Sequence, residues 1–512
     1  MKKYRKELKR WRKKQRRIRE RLQRARYVVR DDGDTAIRGG NINYEIAEKA
    51  QGIAHGGIGA FEVLVNRLKL KVSIDTRLKL LKVHRPYSES DHVLNIAYNV
   101  LCGGQRLEDI ELRRNDEAFL DAIGADSLPD PTTAGDFCRR FEEVDIRLLM
   151  EAIDESRLLA WQSQGEDFFQ QAELHMDGSI VGTTGECKEG MDISYKGIWG
   201  YHPLIVTLDN TQEVLRIVNR PGNRPSHDDA WYEVDESIIL CRKAGFRHIR
   251  LTGDTDFSQT AHLDRWHREG DITFVFGMDS RNNLCDIAED LPEGNYERLQ
   301  RRPRYTVKTT PRKRPERVKE QRIIDREYEN IRLTAEDVAD TKYRPTNCRE
   351  EYRLIILRKD LSIEKGQQKL CDKYRYFFYL TNDWDSSADE IVFASNKRCD
   401  QENIIAQLKS LRSLHAPLNT LNANWAWMVI ASLAWNLKCW FGLLLPPGEG
   451  RHKAEHDEQN RRVQRMEFRT FVLSFMAIPA QIVKTGRRIV YRLLSWSEWQ
   501  PVLFRWLSAT RQ

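Results

Sequence analysis

The chain has 512 residues, of which 40% are hydrophobic and 31% are charged. That length suits roughly three to four domains of about 150 residues each. The hydrophobic fraction is enough for large cores, which excludes a wholly disordered chain and a fibrous one. The mean hydropathy of −0.64 argues against a polytopic membrane protein.

Positive charge is concentrated at the N-terminus. Residues 1–30 contain sixteen Lys and Arg against two Glu, a net charge of +14, so residues 31–512 carry −6 of the total of +8. We predict a basic arm over 1–30, with one helix over 2–26, where no Gly or Pro interrupts the chain. The arm is either a solvated tail or a phosphate-binding segment. We favour the second, because such dense charge requires a polyanion such as nucleic acid or an anionic membrane.

Cysteine usage and hydropathy indicate a cytoplasmic protein. The nine cysteines are scattered and form no C-x-x-C pair, which is typical of reduced thiols rather than disulfides or a zinc site. No apolar signal segment is visible at the N-terminus. The most apolar stretch, residues 425–446, contains Asn436 and Lys438, so we predict a buried helix rather than a membrane span.

Residues 31–168 are predicted to be helical, with segments near 60–69, 91–101, 106–123 and 134–160. The arginine pairs at 113–114 and at Arg139 and Arg140 suit a DNA-binding region. A plain helical bundle fits the same pattern nearly as well.

The pattern changes at residue 172 to short apolar runs that are typical of strands. Three strands in series are followed by alternating helices and strands. This order predicts an α/β core over 169–280, with a mixed sheet that begins as a meander and has flanking helices. The predicted strands are 172–177, 203–208, 213–218, 248–251 and 272–276, and the predicted helices are 228–243 and 257–268.

Residues 281–389 are predicted to be a partly β insertion, with strands at 353–357 and 376–381. Its basic run, which includes Arg312, Lys313 and Arg314, is either a solvated loop or a DNA clamp, and we favour the clamp. Residues 390–446 return to helix as the last part of the core, and residues 447–512 are predicted to be a C-terminal helical segment.

Three acidic residues stand at positions suited to metal chemistry. Asp177 ends the first predicted strand, Asp254 ends the fourth, and Glu402 lies 148 residues further on, in the helix after the insertion. Carboxylates at the carboxyl ends of neighbouring strands point into one crevice. Three clustered carboxylates repel one another unless a cation lies among them, and Mg²⁺ or Mn²⁺ suits oxygen ligands. Two such ions, about 4 Å apart, support phosphoryl transfer.

The helix of Glu402 carries two cations on the same side. Arg398, Glu402 and Lys409 are spaced four and seven residues apart, so they fall within about 40° of one another around the helix. This stripe suits a metal ion beside a phosphate backbone, and an ordinary i, i+4 salt bridge explains the first pair equally well.

The sequence resembles the DDE transposases of bacterial insertion sequences, and most closely the group 1 DDE-domain transposases. The resemblance runs over about residues 40–505. It also extends, more distantly, to the larger group with a Y-x2-R-x3-E-x6-K signature. The segments that carry it are 87–101, 112–116, 131–141, 176–179, 200–204, 253–257, 375–379, 396–409 and 424–438.

The resemblance implies an RNase H-like core interrupted by an insertion and preceded by an all-α region. It also implies that Asp177, Asp254 and Glu402 bind Mg²⁺, and that Arg398 and Lys409 contact DNA. The implied activity is hydrolysis at transposon ends followed by strand transfer. The implied partners of the protein are the double-stranded DNA of the terminal inverted repeats and of the target. The protein is expected to hold this DNA as a homodimer, in the bacterial cytoplasm at the nucleoid. No membrane partner is expected.

The sequence departs from the family pattern at two positions. Ser395 stands where the signature has tyrosine, so that tyrosine's role is unsupported here. Asp256 follows Asp254 closely and is a rival for the second metal ligand, although Asp254 matches the motif. Two other functions stay open, namely an RNase H-like nuclease without strand transfer and a transposase-derived DNA-binding protein that has lost catalysis.

Overall fold

The computed structural model describes residues 2–26, 52–84, 86–258, 260–299, 336–360, 363–364, 367–368, 374–485 and 488–510. The helices are α1 Lys2–Arg26, α2 Ile58–Arg67, α3 Leu70–Arg77, α4 Glu89–Leu101, α5 Glu111–Arg114, α6 Glu117–Ile123, α7 Pro131–Cys138, α8 Glu143–Trp161, α9 Ala230–Ala244, α10 Thr260–Arg268, α11 Asn282–Asp290, α12 Ala388–Asn396, α13 Cys399–Ser410, α14 Leu421–Leu443, α15 Lys453–Gln464, α16 Phe468–Phe471 and α17 Gln500–Ala509. The strands are β1 Gly52–Ile53, β2 Gln171–Gly178, β3 Val181–Gly182, β4 Asp192–Ile193, β5 Trp199–Tyr201, β6 Leu204–Leu208, β7 Glu213–Val218, β8 His248–Gly253, β9 Ile272–Met278, β10 Glu297–Arg298, β11 Glu336–Tyr343, β12 Tyr352–Asp360, β13 Ile363–Glu364, β14 Gln367–Gln368, β15 Tyr374–Thr381, β16 Ala480–Thr485 and β17 Arg488–Leu493.

A nine-stranded mixed sheet forms the centre of the molecule, in the order β10-β11-β12-β15-β9-β8-β2-β6-β7. The strands β2, β6 and β7 form the predicted antiparallel meander, and β8 and β9 add parallel strands on the other side of β2. Helices α9 and α13 pack on this sheet. The predicted fold class, an RNase H-like α/β core with flanking helices, is confirmed.

Strands from the predicted insertion extend this sheet. β15 pairs antiparallel with β9. β12, β11 and β10 then follow β15 toward the edge of the sheet, so these strands belong to the same hydrogen-bonded sheet as the core. The boundaries 1–30, 31–168, 169–280, 281–389, 390–446 and 447–512 stay predictions. Arg312, Lys313 and Arg314 lie outside the described residues.

The N-terminal region is helical, but two of its predicted helices are interrupted. The predicted helix over 106–123 is broken because Asp116 caps α6, accepting a hydrogen bond from the backbone of Phe119 at 3.1 Å. The predicted helix over 134–160 is divided into α7 and α8, where Asp145 accepts from the backbone of Glu142 at 3.0 Å and starts α8. Polar residues inside a helical pattern thus act as caps.

The apolar stretch near the end of the chain is the buried helix α14, as predicted. It packs against α4, α8 and β7, and every residue from Ala423 to Leu443 is buried. Its tryptophans at 425, 427, 435 and 440 are core residues. Within the described parts of the chain, no helix has the length and apolar character needed to cross a bilayer.

The C-terminal segment is not entirely helical, contrary to the prediction. β16 and β17 form a hairpin, and β16 also pairs with β1. The hairpin is rich in β-branched side chains, namely Ile482, Val483, Ile489 and Val490, which favour strands. The strand preference of these side chains explains why residues 480–493 form a hairpin although the segments on either side are helical.

The basic helix α1 is docked on this C-terminal region. The indole of Trp11 stacks on Trp496 with ring centroids 5.9 Å apart and donates to the carbonyl of Ser497 at 2.9 Å. Lys14 Nζ donates to the carbonyl of Ser495 at 3.0 Å. The helix predicted for the arm is therefore present, with one face packed against the body.

Candidate active site

Strand pairing brings Asp177 and Asp254 to the same edge of the sheet. β2 and β8 are adjacent and parallel, with His175 opposite Thr252. Asp177 is near the end of β2, and Asp254 directly follows β8. Carboxyl groups at the carboxyl ends of adjacent parallel strands share one crevice. The two acids, 77 residues apart in the sequence, thereby become neighbours.

Helix α13 brings Glu402 to this edge through its neighbour Gln401. The amide Nε2 of Gln401 donates to the backbone carbonyls of His175 in β2 and Ile205 in β6, both at 3.1 Å. Gln401 is fully buried, whereas the side chain of Glu402 is 55% exposed. One face of the helix is therefore fixed to the sheet while the next residue points to the crevice.

The guanidinium of Arg398 lies among the three acids. Its nitrogens are 4.0 Å from Asp177 Oδ2, 3.5 Å from Asp254 Oδ2 and 3.6 Å from Glu402 Oε1. Arg398 therefore forms the i, i+4 ion pair with Glu402, and it contacts the two aspartates as well. A single cationic group touching all three carboxylates shows that they converge on one point.

The acids favour a cation for electrostatic reasons. Burial, followed by the negative charge of Asp254, raises the pKa of Asp177 to about 7, although Arg398 acts in the opposite direction. Burial also raises the pKa of Asp254, and Asp256 and Asp279 add to this while Arg398 opposes it. Negative charge is therefore crowded at this edge and is only partly neutralised by one arginine.

The donor set suits a divalent cation, but the side chains are not in coordination positions. Among the described residues, no group of three or more His, Cys, Asp or Glu side chains has the arrangement needed to hold a metal ion. The guanidinium of Arg398 is in contact with all three carboxylates. Carboxylate oxygens are the ligands that Mg²⁺ and Mn²⁺ prefer.

The rival acid, Asp256, is not on the strand. β8 ends at Gly253, and Asp256 lies in the following 3₁₀ turn, where its backbone N–H donates to Asp254 Oδ1 at 3.0 Å. The geometry therefore puts Asp254, and not Asp256, within contact distance of Arg398.

Sequence reasoning missed two polar residues of this site. Asp279 directly follows β9, the next parallel strand, and its charge contributes to the raised pKa of Asp254. The rule that identified Asp177 and Asp254, an acid after a buried strand, could have found it. No sequence signal identified Gln401, because the sequence does not distinguish a buried glutamine of a helix from an exposed one.

The predicted DNA-binding residues lie in different places. Lys409 is an exposed residue near the end of α13. The pKa of Lys409 is lowered, first because part of its side chain is shielded from water and second because of the positive charge of Lys196. Arg139 and Arg140 are exposed after α7, where Arg139 pairs with Asp136 at 2.6 Å. No contact links these two arginines to the acids among the described residues.

Comparisons with known proteins bear on this geometry. The family model described as transposase DDE domain group 1 matches residues 53–512. A comparison with curated proteins found no match. Among solved structures, the chain is similar to the piggyBac transposase in a synaptic complex with hairpin DNA. The identity is 11%, the TM-score is 0.34, and 82% of this chain and 81% of that chain are covered. A similarity this weak carries no functional argument, whereas the family match covers nearly the whole chain.

Proposed function

Because the chain belongs to the transposase DDE domain group 1 family, we propose that it moves its own insertion sequence by cutting and joining DNA. It binds the terminal inverted repeats, cleaves DNA at the element ends in a metal-dependent step, and transfers the freed 3′ ends to target DNA. The observation that carries this proposal is the convergence of Asp177, Asp254 and Glu402 on the Arg398 guanidinium, with all three within 4.0 Å of it.

Asp177, Asp254 and Glu402 would hold Mg²⁺, with Mn²⁺ as a substitute. When bound, such ions supply activation of an attacking water or 3′-hydroxyl and stabilise the leaving oxygen. Gln401 holds the helix of Glu402 against β2 and β6, so that the third carboxylate faces the other two. Arg398 would contact a DNA phosphate once metal ions took its place among the carboxylates, and Lys409 lies on the same helix.

Further DNA contacts are assigned to cationic surfaces outside the acidic crevice. The helix α1 carries fifteen Lys and Arg against two Glu, and its docking on the C-terminal region leaves most of these cations exposed. Arg139 and Arg140, and the run of Arg312, Lys313 and Arg314, are further candidates. Contacts of this kind neutralise phosphates and give strongly salt-dependent binding. Because two element ends must be held together, the working state is expected to be a homodimer on DNA.

A cleavage assay tests the proposal. Labelled DNA carrying the ends of the flanking element is incubated with the chain in Mg²⁺ and in EDTA, beside the Glu402→Gln variant. Metal-dependent cuts at the element boundary, absent in the variant, are expected. Cutting without joining would favour the RNase H-like nuclease, and binding without cutting would favour a DNA-binding protein that has lost catalysis.

A further inference from the structure

A small β-hairpin beside the acidic crevice exposes apolar side chains that the proposed chemistry does not use. Between β2 and β6, the strands β4 and β5 pair antiparallel, with Ile193 opposite Trp199. Among the described residues, Tyr195 is the most exposed large apolar side chain, at 78%, and Trp199 is 51% exposed. Ile193 and Ile198 are exposed as well. Contiguous exposed apolar groups usually mark a binding surface.

The hairpin is rigidly held at its tip. The backbone of Gly197 donates to the carbonyl of Ser194 at 2.8 Å, and that of Ser194 donates to Ile198 at 2.9 Å. Gly197 has a φ of 73°, which glycine adopts without strain. Tyr195 and Lys196 therefore occupy the two central positions of a closed turn.

The root of the hairpin is fixed to the core. The backbone of Gly200 passes so close to β3 that a Cβ at this position would lie 2.1 Å from the carbonyl oxygen of Val181. Tyr201 is buried and donates to the carbonyl of Glu189 at 2.7 Å. The exposed rings thus sit on a preorganised support.

A chain of contacts links the tip to the acids. The ring of Tyr195 lies 6.3 Å from the ring of His202. A Cβ on Gly178 would be 2.7 Å from His202 Nε2, and Gly178 directly follows Asp177. The aromatic tip therefore borders the crevice in which a DNA strand would lie.

Charge at the tip is positive. Lys196 Nζ lies 5.3 Å from the centroid of the Tyr195 ring. Burial and then the charge of Lys196 lower the pKa of Lys409, which places two cations on this side of the crevice. The charge of Asp177 opposes this lowering of the Lys409 pKa, so Lys409 lies near the acids as well. Exposed aromatic rings beside cations match a polyanion with stacking bases better than an apolar protein surface.

We propose that the hairpin of residues 192–201 binds unpaired bases of DNA, with Tyr195 and Trp199 as stacking surfaces and Lys196 as a phosphate contact. Aromatic side chains bind bases of any sequence, because every base has a π face, and a nearby cation holds the backbone. This inference deepens the proposed function, since bases freed at an element end during cutting would be held there. It nevertheless predicts single-strand binding that requires no cutting.

The test measures binding of a fluorescent single-stranded oligothymidine to the full-length chain in EDTA. Tyr195→Ala and Trp199→Ala are each expected to weaken binding roughly 5- to 150-fold, the range expected when one base loses its aromatic stacking partner. Trp199→Phe should retain most of the affinity. The matched control is Trp384→Ala, which removes a tryptophan of similar exposure, 46%, that follows β15.

Equal oligothymidine affinity in the alanine variants and the unmodified chain would overturn the inference. The inference would also be overturned if the alanine variants differed from the unmodified chain in sedimentation mass but not in oligothymidine affinity. The hairpin would then be a contact between protein chains. The cleavage assay keeps the two proposals separate. A chain that cuts element ends but shows no hairpin-dependent binding refutes only this inference. A chain that binds oligothymidine through the hairpin but never cuts refutes only the proposed function.

Discussion

Gln401 Nε2 donates to the carbonyl oxygen of His175 at 3.1 Å, and this bond joins the helix of Glu402 to the strand of Asp177. The same nitrogen reaches the carbonyl of Ile205 at 3.1 Å. A helix and a strand that each carry a candidate metal ligand are thereby held at a fixed distance. We infer that Gln401 positions Glu402 relative to Asp177.

Gln401→Leu should reduce cleavage much more than it reduces folding. The variant loses two buried hydrogen bonds, worth about 1 kcal/mol each, so the folded state should persist while Glu402 loses its fixed position. We expect at least a roughly tenfold fall in the cleavage rate, from about 1.4 kcal/mol of lost positioning, and a rise in the Mg²⁺ concentration needed for half-maximal rate. Binding to end DNA should be unchanged.

The control for this variant is on the same helix. Gln407 accepts a hydrogen bond from the backbone of Phe468 at 2.9 Å, away from the acids. Gln407→Leu should therefore reduce thermal stability without altering the Mg²⁺ dependence. If both leucine variants shift the Mg²⁺ dependence equally, Gln401 has only a structural role.

Arg398→Ala should make the protein more dependent on divalent cations for stability. In EDTA the variant leaves three crowded carboxylates without their guanidinium, so its melting temperature should fall. Because a ligand stabilises the folded state that binds it, Mg²⁺ should raise the melting temperature more in Arg398→Ala than in the unmodified chain. Thermal unfolding in EDTA and in Mg²⁺ measures the difference. An equal Mg²⁺ effect in both proteins would mean that Arg398 does not take the place of a cation.

The acidic site was largely predictable, because its signals are local. Asp177 and Asp254 each end a short apolar run, and the meander followed by alternating elements placed those runs in one sheet. The position of Arg398 among the acids was not predictable, since it depends on how α13 lies on the sheet. A helix pattern fixes which residues share a face, but not what that face meets.

Long-range pairing was also beyond the sequence. The strands β12 and β15 were predicted and β11 was not, and nothing local indicates that the three continue the central sheet beyond β9. Likewise, the hydrogen bond from Trp11 to Ser497 joins residues 486 positions apart. The partner of Trp11 belongs to the opposite end of the chain, so nothing in the sequence near the arm identifies it.

Trp11→Ala should separate the position of the basic helix from its charge. The variant removes the stack on Trp496 and leaves every cation of α1 in place. We expect weaker binding to end DNA, with an unchanged slope of log affinity against log salt concentration. Replacing Arg16, Arg17 and Arg19 with Gln should instead reduce that slope, by up to about 0.9 for each phosphate that the chain no longer neutralises. If Trp11→Ala leaves the affinity unaltered, docking of α1 has no part in DNA binding.

Glu213→Ala should strongly destabilise the fold. The fully buried carboxylate accepts hydrogen bonds at 2.7 Å from Arg157 in α8 and from the indoles of Trp161 and Trp440, so it connects α8, β7 and α14. Its removal leaves a buried arginine without this partner, a loss of about 3–5 kcal/mol. Glu143→Ala, which breaks an exposed i, i+4 pair, should cost only about 0.3–0.5 kcal/mol. Denaturation midpoints compare them, and similar losses would contradict the role of Glu213.

Acid should destabilise the protein partly through buried histidines. Burial lowers the pKa of His55 and of His92 to about 4 each, from an ordinary value of 6.5. Between these values the unfolded chain binds more protons than the folded one, so stability is lost as the pH falls from about 6.5 to about 4. His92 stacks on Phe137 with ring centroids 4.5 Å apart, and its Nδ1 has no hydrogen-bond partner among the residues that the structure describes. His92→Phe therefore keeps the stack while removing the titrating group, and the fall in melting temperature over this pH range should become smaller. If His92→Phe leaves the fall in melting temperature unchanged, titration of His92 does not contribute to the loss of stability in acid.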